Sequence, residues 1–268
     1  MSDKNKGVQA THQFRLPSGV ECEVRSMLAK HQEMLTIQSS KPQMERMNQV
    51  LQDCIVRLGS ETNITEELIL EMVSCDRKKA LFELRQFSYG FDPNFEFQFE
   101  YLSEEGKKKK SEISIDLNTY EFEVTPMKYK NEAGEIVEAN FTEYSEVIAH
   151  KKVLITLPQS GTEVQFTLLD GKGENIGART PRKDRSSHTL VRMRQPITFT
   201  TSSAGNKVPL QLNLNNLTLI DIEFLRKSIK QYEGDVDTIL QFEHPETGAL
   251  ESVDIMGLTA FFYRSEAI

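Results

Sequence analysis

Residue types that build several specialised classes of protein are scarce in this chain of 268 residues. Tryptophan is absent, and the only cysteines are Cys22, Cys54 and Cys75. Their odd number and wide spacing exclude a disulfide framework and a zinc knuckle. Cys54 and Cys75 fall on apolar helical positions, so we expect them to be small buried hydrophobes.

Long apolar stretches are also absent. No run approaches the roughly 18 residues that are needed to cross a bilayer, and the polar residues 1–11 lack the apolar core of an export signal. The formal net charge of -8 argues against binding of a phosphate backbone by the protein as a whole. We therefore expect a soluble, cytoplasmic protein that binds no membrane.

The motifs of catalysis and of metal binding are missing as well. None of the five histidines has another His, Cys or carboxylate at metal-ligand spacing. The glycines near Gly171 and Gly177 lack the Lys-Ser/Thr that follows them in a phosphate-binding loop. The 40 acids make carboxylate pairs inevitable, so no catalytic pair can be selected. We predict a protein that is not an enzyme and that holds no metal or cofactor.

What the chain does contain is the same order of motifs twice. Leu16-Pro17-Ser18-Gly19 and Leu157-Pro158-Gln159-Ser160-Gly161 each precede apolar residues at alternate positions. Later in each half an aspartate, Asp76 or Asp221, opens a helical pattern with Leu-Arg and a Tyr-then-Gly stop. A repeated order of elements determines the number of modules. We predict an α+β protein of two tandem, weakly similar modules, each with an N-terminal β-hairpin, helices and a closing β-hairpin.

These patterns divide the chain into three parts. We predict a disordered tail over residues 1–11, a first module with a connector over residues 12–145, and a second module over residues 146–268. The connector favours a helix or a strand–turn–helix, with a turn at 131–134. At 38% hydrophobic residues the chain can bury one large core or two modest ones.

Helical periodicity follows the first hairpin. Pro42 fits the first turn of a helix whose apolar residues recur every three or four positions, and Gly59 would end it. A second helix could begin after Thr65 or Asn63, whose side chains are good N-caps.

The third helix of the first half has a counterpart in the second half. Ser74 or Asp76 could cap it, and Gly90 would end it. In the second half, the run Thr218–Asp221 resembles a capping box with Asp in place of Glu or Gln, and Gly234 follows the helix.

The clearest strand has an aromatic residue at every second position: Phe95, Phe97, Phe99 and Tyr101. A hairpin over residues 95–117 cannot shelter four rings by itself. We therefore expect this face to be internal, packed on the helices or on another chain. A second hairpin over residues 239–256 should occupy the equivalent place in the second module.

Between residues 171 and 206 the periodic patterns fail, and we predict a long basic loop. Its candidate partner-binding residues are Arg179, Arg182, Arg185, Arg192 and Arg194. A loop of this length is usually functional or disordered. It could be a solvated loop that orders against a partner, a protein-docking loop, or a phosphate-binding patch that lacks a glycine cradle and stacking aromatics.

The chain ends in an aromatic cluster, Phe261-Phe262-Tyr263. A segment this close to a terminus is poorly ordered unless it is docked. The cluster could close the core of the second module, or it could anchor another protein, so we include all three residues among the candidate partner-binding residues.

The Leu-Pro-Ser-Gly opening, the helix from Asp76 to Gly90, the following hairpin and the closing Phe261-Phe262 together resemble a family of contractile-tail phage proteins. These are the baseplate hub assembly proteins, also described as baseplate hub subunits or tail assembly chaperones. The resemblance covers residues 12–263, although its motifs are short. Relatives often have Cys-x-x-Cys pairs in the two hairpins, and this chain has no cysteine there, which removes the expectation of zinc.

The resemblance implies a non-catalytic protein that binds other baseplate or hub subunits in the cytoplasm of the infected cell. Two alternatives stay open. The chain could be a structural hub subunit that is retained in the virion, or a nucleic-acid-associated regulator that uses residues 179–194. The sequence leaves the oligomeric state open.

Overall fold

The computed structural model describes residues 10–36, 42–103, 105–120, 122–181, 188–202 and 206–257. Helices alternate with small antiparallel sheets, which confirms the predicted α+β class. All the buried apolar residues that the structure describes, except Val236, belong to one cluster that includes both halves. Of the predicted tail, Thr11 belongs to the first strand, and residues 1–9 lie outside the described residues.

The first module contains β1 (Thr11–Arg15), β2 (Glu21–Arg25), α1 (Ala29–Thr36), α2 (Gln43–Cys54), β3 (Ile55–Leu58), α3 (Glu66–Glu71), α4 (Ser74–Ser88), β4 (Asn94–Leu102) and β5 (Lys108–Asp116). The connector contains β6 (Val124–Thr125), β7 (Lys128–Lys130), β8 (Ile136–Glu138) and α5 (Tyr144–His150). The second module contains β9 (Lys152–Thr156), β10 (Glu163–Thr167), α6 (Gly171–Arg179), α7 (Thr189–Arg192), β11 (Ile197–Thr201), β12 (Lys207–Gln211), α8 (Leu219–Tyr232), β13 (Asp235–Val236), β14 (Ile239–Glu243) and β15 (Leu250–Asp254).

Each module begins with an antiparallel sheet in the same order. The sheet of the first module runs β1-β2-β3, and that of the second runs β9-β10-β11-β12. In both modules the second strand leads into a helix, α1 or α6, and a later helix, α4 or α8, precedes a closing hairpin. Strand β12 is an addition, because the first sheet has no fourth strand among the described residues.

The aspartates near the starts of α4 and α8 hold the opening turns in the same way. Asp76 Oδ1 accepts a hydrogen bond from Ser18 N–H at 3.0 Å. Asp221 accepts from Gln159 N–H at 2.9 Å and from Ser160 N–H at 3.2 Å. A carboxylate that accepts backbone N–H groups is a strong, charge-assisted tie. Each helix is thereby fixed to the opening hairpin of its own module.

The likeness continues past the helices. Asp92 accepts from Asn94 N–H at the start of β4, and Asp237 accepts from Ile239 N–H at the start of β14, both at 3.0 Å. The spacing from Asp76 to Asp92 equals that from Asp221 to Asp237. The Leu-Arg motifs of the two helices are therefore not at equivalent positions, because the motif of α8 lies one helical turn closer to its aspartate than the motif of α4 does. The predicted pairing of these motifs is wrong.

Several predicted boundaries are wrong in the first half. Helix α2 ends at Cys54 rather than at Gly59, because Ile55–Leu58 forms β3 and pairs with β2. Neither Ser74 nor Asp76 is the N-cap of α4, since the N-cap is Val73 and the Asp76 carboxylate is used by the opening turn.

Other local signals are correct. Thr65 caps α3 by accepting from Leu68 N–H. Thr218 caps α8 by accepting from Asp221 N–H at 3.2 Å, although Asp221 does not complete a capping box. Gly234 is required for close approach rather than for a left-handed conformation, because a Cβ there would lie 2.7 Å from Met127 N.

The connector covers the opening turn of the first module. Met127 N–H donates to Pro17 C=O, and Phe141 N–H donates to Ser18 C=O. Gly19 has φ +95, and a Cβ there would lie 2.6 Å from Asn140 Cα. At Gly161, the corresponding glycine of the second module, φ is +67 and a Cβ would meet no atom within 4 Å. One opening turn is therefore covered, and its counterpart is open.

We expect the two glycines to respond differently to substitution by alanine. Gly161→Ala should cost about 1 kcal/mol, which is the strain of a left-handed residue. Gly19→Ala should cost about 3 kcal/mol or more, because a backbone clash adds to that strain. Urea unfolding of the two variants measures both costs, and equal costs would contradict the close packing of the connector on the first turn.

Candidate partner-binding surfaces

In the region predicted as a long basic loop, most of the residues that the structure describes belong to helices or to a strand. Residues 171–201 include helix α6, helix α7 and strand β11, so the prediction of a loop over 171–206 is wrong. The glycines that suggested a loop are packing positions: a Cβ on Gly173 would lie 2.3 Å from Met193 O, and one on Gly177 would lie 2.7 Å from Met193 Cε. Close packing, rather than chain flexibility, explains the glycines.

The three candidate arginines that the structure describes have different surroundings. Arg179 ends α6 and pairs with Glu45 of the first module at 2.6 Å. Arg192 ends α7 and is exposed. Arg194 is buried and binds both carboxylate oxygens of Glu233, at 2.9 and 2.6 Å.

The buried position of Arg194 assigns it to the fold rather than to a partner surface. Arg182 and Arg185 lie outside the described residues, as do Phe261, Phe262 and Tyr263. For these five residues partner binding stays a prediction.

Buried charges hold the two modules together. Arg77, on α4, is 1% exposed and donates to Glu174 of α6 through Nε at 3.0 Å. It also donates to Ile69 C=O at 2.9 Å and to the Asn48 side chain. Lys151 of the second module pairs with Asp170 at 2.7 Å and also with Glu71 of the first module. These groups are therefore part of the junction between the modules.

A cavity of about 590 Å³ lies beside this junction. Its lining includes Cys75, Met127 and Leu190. Burial raises the pKa of the Cys75 thiol well above its ordinary value, so this cysteine is not a nucleophile at neutral pH. The lining of the cavity also includes the ion pair of Lys78 and Asp235, whose charged atoms lie 2.7 Å apart.

One group of side chains resembles a catalytic triad, and sequence spacing gave no sign of it. His31 Nδ1 lies 3.5 Å from Cys54 Sγ, and His31 Nε2 lies 3.2 Å from Asp53. His31 Nδ1, however, already accepts a hydrogen bond from Leu28 N–H at 3.0 Å. Burial raises the pKa of Cys54 to about 12, and the residue is fully buried. The group therefore fixes the start of α1 and does not supply a nucleophile.

The aromatic face of β4 is internal, as predicted, and its cover is the other closing hairpin. Phe97 and Phe99 contact Phe242 of β14 with ring centroids 5.4 and 4.9 Å apart. Tyr101 meets His244 at 4.6 Å. Edge-to-face contacts of this kind are favourable beyond the area that they bury. The two hairpins therefore pack on each other, and this face is closed to a partner.

An open apolar surface lies on the sheet of the second module. In the register of the sheet, Leu210 of β12 stands opposite Thr198 of β11, which stands opposite the fully buried Val164 of β10. Residues that stand opposite each other share a face. Val208 and Leu210 therefore extend the core face of the sheet, yet they are 44% and 55% exposed. We call Thr198, Thr200, Val208 and Leu210 the β12 face.

A second open apolar surface lies at the start of α8. Leu219 is 81% exposed and Ile220 is 59% exposed, and both precede the Asp221 that holds the opening turn. At the equivalent positions of α4, the first module has Ser74 and Cys75, and Cys75 is buried.

The described residues contain no group of three or more His, Cys, Asp or Glu side chains that could hold a metal ion. Within the same residues, no helix has both the length and the apolar character to cross a membrane. Comparison with known proteins finds no protein-family model, no curated protein and no solved structure that matches this chain.

Proposed function

We propose that this protein is a non-enzymatic assembly protein of a contractile phage tail, and that it binds another baseplate or hub subunit through the β12 face. The resemblance of the motif order to hub assembly proteins supports the phage assignment. The main evidence for the binding role is the exposure of Val208 and Leu210 on a strand that has no counterpart in the part of the first module that the structure describes.

Strand β12 contributes little to the core of its own module. All five of its residues are exposed, on both faces of the sheet. An added strand that leaves apolar side chains in water is a liability unless a partner covers them. The β12 face is therefore suited to an apolar surface of another protein.

The free edge of β12 is less suited to binding than its face. Pro209 lacks the N–H group that an added strand would need, and Lys207 is a charged edge residue, paired with Glu163 at 2.5 Å. Proline and lysine are devices that protect sheet edges from pairing. We therefore infer that a client contacts the side chains of the β12 face rather than extending the sheet.

Two of the three candidate arginines that the structure describes are paired with carboxylates. Arg179 and Arg194 are paired with Glu45 and Glu233, and an acidic protein of net charge -8 repels a phosphate backbone. These observations favour a protein client over a nucleic acid.

The proposal predicts a defect in client recovery. The double variant Val208→Glu/Leu210→Glu should recover at least about tenfold less of a co-expressed baseplate or hub subunit, because it places two charges where apolar area is buried. Leu250→Glu is the matched control, since Leu250 is 65% exposed on β15 and lies outside the β12 face.

Equal client recovery by the double variant and by the wild-type chain would contradict the β12 face as the binding surface. Recovery of no baseplate or hub subunit by the wild-type chain would contradict the phage assignment.

A further inference from the structure

The two modules meet in a short strand-like pairing. Gly171 N–H donates to Met72 C=O at 3.3 Å, and Ser74 N–H donates to Leu169 C=O at 2.7 Å. Val73 and Asp170 form an antiparallel bridge between these two bonds. The segment before α6 in the second module thus covers the segment before α4 in the first.

Both segments have equivalents elsewhere in the chain. Helix α6 begins at Gly171 and α1 begins at Ala29, each after the second strand of its sheet, so residues 27–29 correspond to 169–171. Helix α4 begins at Ser74 and α8 begins at Leu219, each two residues before the aspartate of the turn, so residues 217–220 correspond to 72–75. We call these equivalents the 27–29 segment and the 217–220 segment.

Neither equivalent segment is paired. Among the described residues, no hydrogen bond uses Met27 C=O, Ala29 N–H, Leu217 C=O or Leu219 N–H, which are the groups that correspond to the four partners at the junction. The adjacent side chains are apolar and open: Leu28 is 51% exposed, and Leu219 is 81% exposed.

The 27–29 segment is already held in a fixed conformation. Met27 N–H donates to Ser88 Oγ at 2.8 Å, and Leu28 N–H donates to His31 Nδ1 at 3.0 Å. Its free carbonyl and amide therefore need little ordering before they can pair.

We propose that the 217–220 segment pairs with the 27–29 segment of a second copy of this chain. In this contact, Leu219 N–H of one copy donates to Met27 C=O of the next, Ala29 N–H donates to Leu217 C=O, and Leu28 packs on Leu219 and Ile220. The contact repeats between copies the pairing that joins the two modules within a copy.

This association is head-to-tail. Within one chain the two free segments do not cover each other, because Leu28 and Leu219 are both exposed. Each copy thus presents one surface of each kind, and successive copies form a ring or an open filament.

The contact between copies is weaker than the junction within a copy. The buried pair of Arg77 and Glu174 has Ile222 and Gln32 at the corresponding positions, so no equivalent ion pair forms. We therefore expect association that depends on protein concentration.

Sedimentation of the full-length protein over a concentration series tests the proposal, which does not depend on the β12 face. The average mass of the wild-type chain should rise beyond that of a dimer. Leu28→Glu and Leu219→Glu should each be monomeric, because every contact needs one intact segment of each kind. An equimolar mixture of the two variants should form a dimer and grow no further, since the mixture contains one complementary pair of intact segments.

Leu250→Glu, which changes an exposed leucine of β15, should associate like the wild-type chain. Leu28→Ser and Leu219→Ser repeat the test without adding charge, and circular dichroism verifies the fold of each variant. A wild-type chain that is still monomeric at about 1 mM would overturn the proposal. So would a mixture that stays monomeric while the wild-type chain associates, because that result indicates a symmetric interface.

Discussion

Arg77→Ala should destabilise the protein by about 3–5 kcal/mol, the cost of removing one partner from a buried ion pair. The substitution leaves the Glu174 carboxylate, 12% exposed, without its cation. It also leaves Ile69 C=O and the Asn48 side chain without their donor. Chemical denaturation at neutral pH measures this loss.

Two further variants test whether the loss of stability comes from the buried ion pair of Arg77. Lys110→Ala breaks the ion pair with Glu100, in which both side chains are more than half exposed, and it should cost less than about 1 kcal/mol. The double variant Arg77→Met/Glu174→Leu should recover much of the stability, because a buried ion pair can be replaced by apolar side chains at little cost. If Arg77→Ala costs no more than Lys110→Ala, Arg77 does not hold the junction.

Asp76→Asn should remove a pH dependence that the wild-type protein has between about pH 4 and pH 6. Burial raises the pKa of Asp76 from 3.8 to about 6, because the carboxylate is fully buried and hydrogen bonds from Ser18 and Tyr144 offset only part of the cost of desolvating its charge. The folded state therefore binds a proton that the unfolded state has released. As the pH rises from 4 to 6, the ionisation of Asp76 should therefore lower the unfolding free energy of the wild-type protein by about 3 kcal/mol.

Asparagine at this position keeps the oxygen that accepts from Ser18 N–H and has no charge to desolvate. The stability of Asp76→Asn relative to the wild-type protein should therefore increase as the pH rises through that range. Urea unfolding at pH 4.5 and at pH 7.5 measures the change. If the unfolding free energies of Asp76→Asn and of the wild-type protein change in parallel with pH, the charge at Asp76 is not unfavourable in the folded state.

Asp221→Asn is the matched control, because Asp221 occupies the equivalent position and its pKa shifts in the opposite direction. Burial opposes ionisation of Asp221, but hydrogen bonds from Gln159, Ser160 and Thr218 outweigh it and lower the pKa. A group with a lowered pKa stabilises the folded state above its ordinary pKa. Asp221→Asn should therefore lose stability relative to the wild-type protein as the pH rises through about 4.

Local patterns in the sequence predicted much of the fold. Alternation of apolar residues located β2, β4 and β10, and the glycine turns located the hairpins, because strand faces and turn conformations depend on neighbouring residues. The same reasoning failed at Ile55–Leu58, where apolar residues fit both a helix and a strand. Pairing with β2 decided the outcome, and that partner is distant in the chain.

The charge of a residue in the sequence does not show whether it is exposed to a partner or buried in an ion pair. Arg194 and Arg77 are both arginines in charged stretches, yet both are buried in ion pairs with distant glutamates. No local pattern marks such a residue, because its partner comes from another element. The sequence did not reveal the β12 face for a related reason. Val208 and Leu210 alternate like core residues, and only their exposure in the folded chain shows that no element of the described residues covers them.

The sequence by itself determined that the chain is an α+β protein with a repeated order of elements, because hydrophobic periodicity, turn residues and the paired Asp76 and Asp221 are local features. The tertiary structure decided how the two repeats differ. The connector covers the turn at Gly19 and leaves the turn at Gly161 open. The junction pairs residues 72–74 with 169–171, while their equivalents form no such pairing among the described residues. These differences depend on contacts between segments far apart in the chain, which the composition and spacing of either segment cannot encode.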